Sequence, residues 1–187
     1  LPSTLQTIQP DAVEIHTEIN RIDSFAQVVG ILKNSKTKLK KISVSCGLNQ
    51  SLQRTNKPKD LLKALWERYE ILNELDVPLI WQLDGKPMSG DLAPTTGKDT
   101  VKLFEIIGSD LPPGLIQLAG GTNGRTHEFL NVNNFPDGIA FGSSARKIMQ
   151  PFIEFANKNN RKLYEHPESM ALAIKEARKL LNPWKII

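Results

Sequence analysis

The stretch "GLIQLAGGTNGRT", residues 114–126, drives an apolar segment straight into paired glycines and a string of small polar residues. The same transition recurs in "GIAFGSSARK", residues 138–147, where apolar residues run into Gly142, Ser143 and Ser144. A short apolar run bounded by turn-forming residues is the pattern of a buried strand that delivers a polar loop to one end of a sheet. Working outward, "AVEIHT" at 12–17, "KISVSC" at 41–46 and "PLIWQLD" at 78–84 repeat the apolar pattern. With 115–120 and 138–142 they predict about five strands. Their apolar character is more continuous than alternating, which predicts a parallel sheet covered on both faces.

Helical patterns lie between and after these runs. Phe25, Val28, Val29 and Leu32 share one face after Asp23, a candidate cap, and predict a helix over about 24–34. Leu61, Leu62, Leu65, Tyr69 and Leu72 follow Pro58, which suits a first helical turn. Val101, Phe104 and Ile107 predict a third helix over 98–108, stopped by Gly108. A fourth follows Ser143 and Ser144, with Pro151 expected to kink or divide it. The last begins at "HPE", presents Met170, Ala173, Ile174, Ala177 and Leu181, and ends at "NPW". Strand and helix alternate throughout, so the fold class is α/β: a mostly parallel sheet of about five strands. It is either an open doubly wound sheet or five consecutive units of a TIM-type (β/α)8 barrel.

Composition bounds the rest. The chain has 187 residues, 40% hydrophobic and 24% charged, which fits one globular domain over 1–187. Its 24 Lys and Arg exceed its 20 Asp and Glu by a net +4. The one basic cluster, "KNSKTKLKK" at 33–41, reads first as a solvated helix exit and second as a contact for nucleic acid or an acidic partner. Cys46 is the only cysteine, so no intrachain disulfide forms and a reducing, cytoplasmic setting is expected. No apolar run reaches the roughly 20 residues of a membrane span. A chain beginning "LPSTLQ", without an initiator Met, reads as a processed protein or as the C-terminal part of a longer one.

The strand ends carry the candidate chemistry. Gly120, Gly121, Thr122 and Asn123 on one, with Gly142, Ser143, Ser144 and Arg146 on the next, form a candidate phosphate or anion site. Glycine lets the main chain approach an anion, and free amides at a helix N-terminus favour negative charge. The alternative is that the glycines only turn the chain and a serine caps the helix. In "WQLDGKPMSGD", 81–91, Gln82 and Asp84 alternate with Leu83 and should share a face near the strand end. Lys86 just beyond reads either as a reactive amine or phosphate contact, or as a solvated lysine in an Asp-Gly turn. His16 and Cys46 end two further strands and complete a polar rim. The histidines at 16, 127 and 166 show no metal-ligand spacing, so no metal is expected. "GDLAPTTGKDT" fails as a phosphate loop, because six residues separate Gly90 from Gly97 and Asp99 stands where a hydroxyl is needed. "NQS" at 49–51 is a chance glycosylation match.

In order, "AVEIHT", "PLIWQLDGKPMSGD", "GLIQLAGGTN" and "GIAFGSSAR" resemble the C-terminal domain of the cyanobacterial light-dependent period (LdpA) family, which also has chloroplast-bearing relatives. The resemblance covers nearly the whole chain. It implies an iron-sulfur protein of redox sensing, with a ferredoxin-like cysteine-rich part upstream, that passes light or redox state to the circadian clock alongside clock-associated proteins. It also opens the chloroplast stroma as an alternative location. Cys46 alone cannot supply the four thiolates a cluster usually needs, so any cluster belongs to that other part. The expected role is a non-catalytic companion domain that binds a partner or a small anion. The alternative is a barrel-type enzyme with a flavin or phosphate ligand.

Overall fold

A computed structural model of the chain describes residues 2–35, 37–48, 57–85, 94–131 and 133–184. Along them run α1 (Pro2–Ile8), β1 (Ala12–His16), α2 (Ile22–Asn34), β2 (Lys41–Gly47), α3 (Pro58–Leu72) and β3 (Leu79–Asp84). There follow α4 (Gly97–Ile107), β4 (Leu115–Ala119), β5 (Gly138–Ile139), α5 (Ser143–Lys158) and α6 (Pro167–Leu181). The strands form one five-stranded sheet in the order β1-β2-β3-β4-β5, and every neighbouring pair is parallel. Each strand therefore lies beside its predecessor. This order is compatible with consecutive barrel units, whereas a doubly wound sheet reverses direction at a switch point.

Right-handed crossovers that always step the same way carry the connecting helices to one face. The register identifies that face. Ile42 pairs with Leu79, Val44 with Trp81 and Cys46 with Leu83, while Trp81 and Leu83 pair with Ile116 and Leu118. These side chains join Phe25, Val29 and Leu32 of α2, Leu61 and Leu65 of α3, and Val101, Phe104 and Ile107 of α4 in a single core. Each fully buried Leu, Ile or Phe contributes about 1.5–3 kcal/mol. The alternate residues, among them Glu14, His16, Ser43, Ser45, Gln82, Asp84 and Gln117, stand on the opposite face, and none belongs to that core.

The expectation of two covered faces is therefore corrected. Burial along β3 alternates between buried and half-buried residues, and Glu14 and His16 of β1 are exposed. Among the described residues, one-directional crossovers leave the second face without a layer of connecting helices.

Further corrections are local. β5 is only Gly138–Ile139 rather than 138–142, although Ala140 N still donates to Leu118 O at 2.8 Å. Pro151 does not divide α5, which runs unbroken and packs along α6. α2 begins at Ile22 with Arg21 at its N-cap, so Asp23 lies in the first turn instead of capping it. The third helix does stop at Gly108, as expected, and a short 3₁₀ turn, Gly108–Asp110, follows. On α6 the buried residues are Ser169, Ala173 and Leu180, and the expected stripe members Ile174 and Leu181 are 41% and 46% exposed. Its apolar stripe is broader than the contact it makes. Helix α1 was not expected; its Leu5 enters the core.

Arg68 of α3 is wholly buried. Its Nη1 donates to Ala64 O at 2.9 Å and its Nη2 to Glu18 O at 2.6 Å, with Phe25 beneath the guanidinium at 5.3 Å. The residue fastens the loop after β1 to α3. In the basic cluster, Lys33 pairs with Glu74 and Lys40 with Asp11, all four exposed. Such pairs add little stability. Among the described residues no helix is long and apolar enough to cross a membrane.

The face assignment has a direct test in two adjacent residues. Leu83→Ala should cost about 2–5 kcal/mol by opening a core cavity, whereas Gln82→Ala should stay within about 0.5 kcal/mol. Urea unfolding midpoints of the two variants measure the contrast, and equal losses would refute the segregation of faces.

Candidate functional site

Because the strands are parallel, their C-terminal ends share one rim. His16, Ser45 with Gly47, Asp84 with Gly85, Gly120 with Gly121, and Gly142 follow one another across it in strand order. Gly121 and Ser143 thus stand on neighbouring strand ends. Thr122 Oγ1 joins those ends by donating to Ala140 O at 2.5 Å.

The loop after β4 is shaped by glycine and held by hydroxyls. Gly120 and Gly121 have φ of 64° and 83°, the left-handed region that a side chain disfavours. A Cβ on Gly121 would also lie 3.0 Å from Thr96 O. Thr96 Oγ1 donates to Gly121 O at 2.6 Å. Buried Thr100 of α4 sits 2.5 Å from Ala119 O and 2.7 Å from Gly120 O, and accepts from Gly85 N at 3.0 Å. One hydroxyl thereby clamps the ends of β3 and β4. Asn123 accepts from Arg125 N at 2.9 Å and reaches Thr96 Oγ1 and Pro94 O with its Nδ2. Thr122 and Asn123, expected as ligand contacts, therefore use their side chains to hold the loop.

At the next strand end Gly142 is the N-cap of α5, with no side chain capping the helix. Ser143 is its first residue, so the alternative of a serine cap does not hold. Its Oγ instead accepts from Arg146 Nη2 at 3.1 Å. Ser144 is half-buried beside it. The first amides of a helix have no intrahelical acceptor, and together with the dipole they favour an anion there.

On the other half of the rim three side chains form a chain. Ser45 Oγ donates to Asp84 Oδ2 at 2.6 Å, and His16 Nδ1 lies 2.8 Å from Ser45 Oγ. The hydroxyl has one proton and gives it to the carboxylate, so His16 donates to it from Nδ1. Burial raises the Asp84 carboxyl above its ordinary value of 3.8, against the lowering effect of the Ser45 hydroxyl and of His16. Gln82 stands in register with Ser45 and shares the polar face with Asp84, as expected.

Cys46 departs from the expected rim. Its side chain points to the helices, fully buried, and desolvation pushes the thiol up to about 11. A lone, buried, protonated thiol does not fit an iron-sulfur cluster. Among the described residues no group of three or more His, Cys, Asp or Glu could hold a metal ion. Lys86 lies outside the described residues.

Ser45, Thr96, Thr100 and Gln117 were missed by sequence reasoning. A usable signal for Ser45 was the alternation in "KISVSC", which sets Ser43 and Ser45 against Ile42, Val44 and Cys46.

Comparison with known proteins bears on the whole chain. The family model described as "Light dependent period A C-terminal domain" matches residues 4–183. "Light dependent period A" of Synechococcus elongatus is 32% identical over 183 residues, covering 94% of this chain and 49% of that protein. The chain spans about half the length of the curated relative it matches. No solved structure matches it.

Two outcomes follow from the buried groups. A carboxyl whose folded pKa is raised binds its proton more tightly when folded, so stability falls as pH rises from 3.8 through the folded value. Asp84→Asn should therefore raise Tm at pH 7, and the gain should vanish below the ordinary carboxylate range; a Tm loss at pH 7 would contradict this. Cys46 should resist a thiol-labelling reagent at pH 8 in the native chain and react after unfolding in urea.

Proposed function

The chain belongs to the light dependent period A C-terminal domain family, and we propose that it acts there as a binding domain without catalysis of its own. In this reading the longer protein carries its iron-sulfur clusters elsewhere and passes light or redox state to the circadian clock. Clock-associated proteins and the cluster-bearing part are its partners, in the cytoplasm or the equivalent stroma. This domain holds a small anionic ligand or presents the rim to a partner.

The supporting observation is the juxtaposition of two glycine-bearing strand ends, Gly120–Gly121 and Gly142–Ser144, joined by the Thr122 to Ala140 bond. An anion there would meet main-chain amides, the N-terminus of α5 and Arg146. With one cysteine this chain offers too few thiolates for a cluster, which supports the reading that any cluster lies in the rest of the longer protein.

The His16–Ser45–Asp84 chain on the same rim favours a second reading, a barrel-type enzyme with a flavin or phosphate ligand. In that case the purified chain would be yellow with a flavin absorbance band.

Inorganic phosphate is the direct probe. Calorimetric titration and thermal shift should show binding to the full chain, and Ser143→Asp should weaken it about tenfold or more. An added carboxylate at the first helical position supports the dipole by about 0.3–1 kcal/mol, so Tm should hold or rise. Equal phosphate binding by both proteins, or none by the parent, would overturn the anion site.

A further inference from the structure

The polar face of the sheet carries two ordered rows beside the anion site. His16, Ser45, Gln82, Gln117 and Gly138 pair in register across all five strands. Neighbouring strands lie about 4.8 Å apart, so the four polar side chains span roughly 14 Å. One step nearer the rim, Gly47, Asp84 and Ala119 pair in register. A Cβ on Gly47 would sit 2.4 Å from Asp84 O and 2.8 Å from Asp84 Cβ. With glycine on one side and alanine on the other, the Asp84 carboxylate stands between two small neighbours.

The hydrogen-bonding capacity of these rows is largely unused. Asp84 is bonded through Oδ2 to Ser45, and no lysine or arginine pairs with it among the described residues. Among the described residues neither Gln82 nor Gln117 makes a side-chain hydrogen bond. One step further down the same face, Ser43 Oγ is buried without a partner. Two carboxamides, each donor and acceptor, thus lie beside a carboxylate and an imidazole.

That mixture matches a run of hydroxyl groups, each of which both donates and accepts. It suits an aromatic ring poorly, because no aromatic side chain stands in either row to stack on it. A simple cation would pair with Asp84 but leave the carboxamide donors unmet. Asp84 on β3 adjoins β4, whose end carries Gly120 and Gly121, so hydroxyls here lie one or two strand spacings from an anion held there.

We propose that the row of His16, Ser45, Gln82 and Gln117, with Asp84 above it, binds the hydroxyls of a phosphorylated polyol whose phosphate sits at the β4 and β5 strand ends. The phosphate half of this statement rests on the anion site described under the proposed function; the hydroxyl half rests on the rows alone.

The test compares inorganic phosphate, ribose 5-phosphate and free ribose by calorimetry on the full chain. Ribose 5-phosphate should bind at least about tenfold tighter than inorganic phosphate. Asp84→Asn and, independently, Gln82→Ala should each cut that ratio about threefold or more while leaving the affinity for inorganic phosphate unchanged. Thermal melts of both variants confirm folding, and Gln82→Ala lies off the core. Ser143→Asp should weaken both phosphorylated probes by the same factor. Phosphate binding with a ratio near one, or a ratio untouched by both variants, would overturn the hydroxyl row and leave the anion site standing. Ribose binding that gains nothing from the phosphate would remove the anion site and keep the row. No binding of any probe would overturn both.

Discussion

Five parallel strands, each laid beside the one before it, impose the constraint from which the site follows. Parallel neighbours must be joined by crossovers, crossovers are right-handed, and a sheet that grows in one direction receives them on one face. The other face is then free to be polar. Ile42, Val44, Trp81, Leu83 and Leu118 meet the helices, while Ser45, Gln82, Asp84 and Gln117 alternate with them on the far side. The same parallelism sends every strand's last residues to one rim, so the glycine-bearing loops and the His16–Ser45–Asp84 chain occupy a common edge.

The rim is held by hydroxyl clamps rather than by the glycines that shape it. Thr100 joins the ends of β3 and β4, Thr122 joins β4 to the segment after β5, and Thr96 fixes Gly121. Arg68 does comparable work for the loop after β1 from within the core. Loops turned by glycine need such support, since glycine by itself leaves the main chain free to move. The half-buried Asp84 carboxyl is the opposite kind of feature. Among the described residues it has one hydrogen bond and no lysine or arginine partner, and its desolvation is a cost to the folded state.

Much of the architecture was legible in the residues. Apolar runs ending at Gly120 and Gly142, separated by helical patterns, predicted the α/β class and the common rim. Gln82 and Asp84 were placed on one face by the period of a strand, and the family by motifs that the comparison bears out. The errors have physical sources. Period-two burial in β3 was masked because Ile80 and Leu115 are apolar residues on the polar face. Proline inside α5 was judged by its local cost, yet pairing along α6 accompanies an unbroken helix. Cys46 was assigned to the rim from its position along β2, although its direction depends on a one-residue register.

By itself the amino-acid order determined the alternation of five strands with helices from Ala12 to Leu181, and that a lone cysteine cannot hold a cluster, because these depend on local sterics, side-chain period and composition. Tertiary structure alone decided that the strands stack in one direction, that His16, Ser45 and Asp84 from three of them touch, and that Thr122 and Asn123 brace a loop. Those contacts join residues far apart in the chain, and their partners are chosen by strand order and register, which no local pattern encodes.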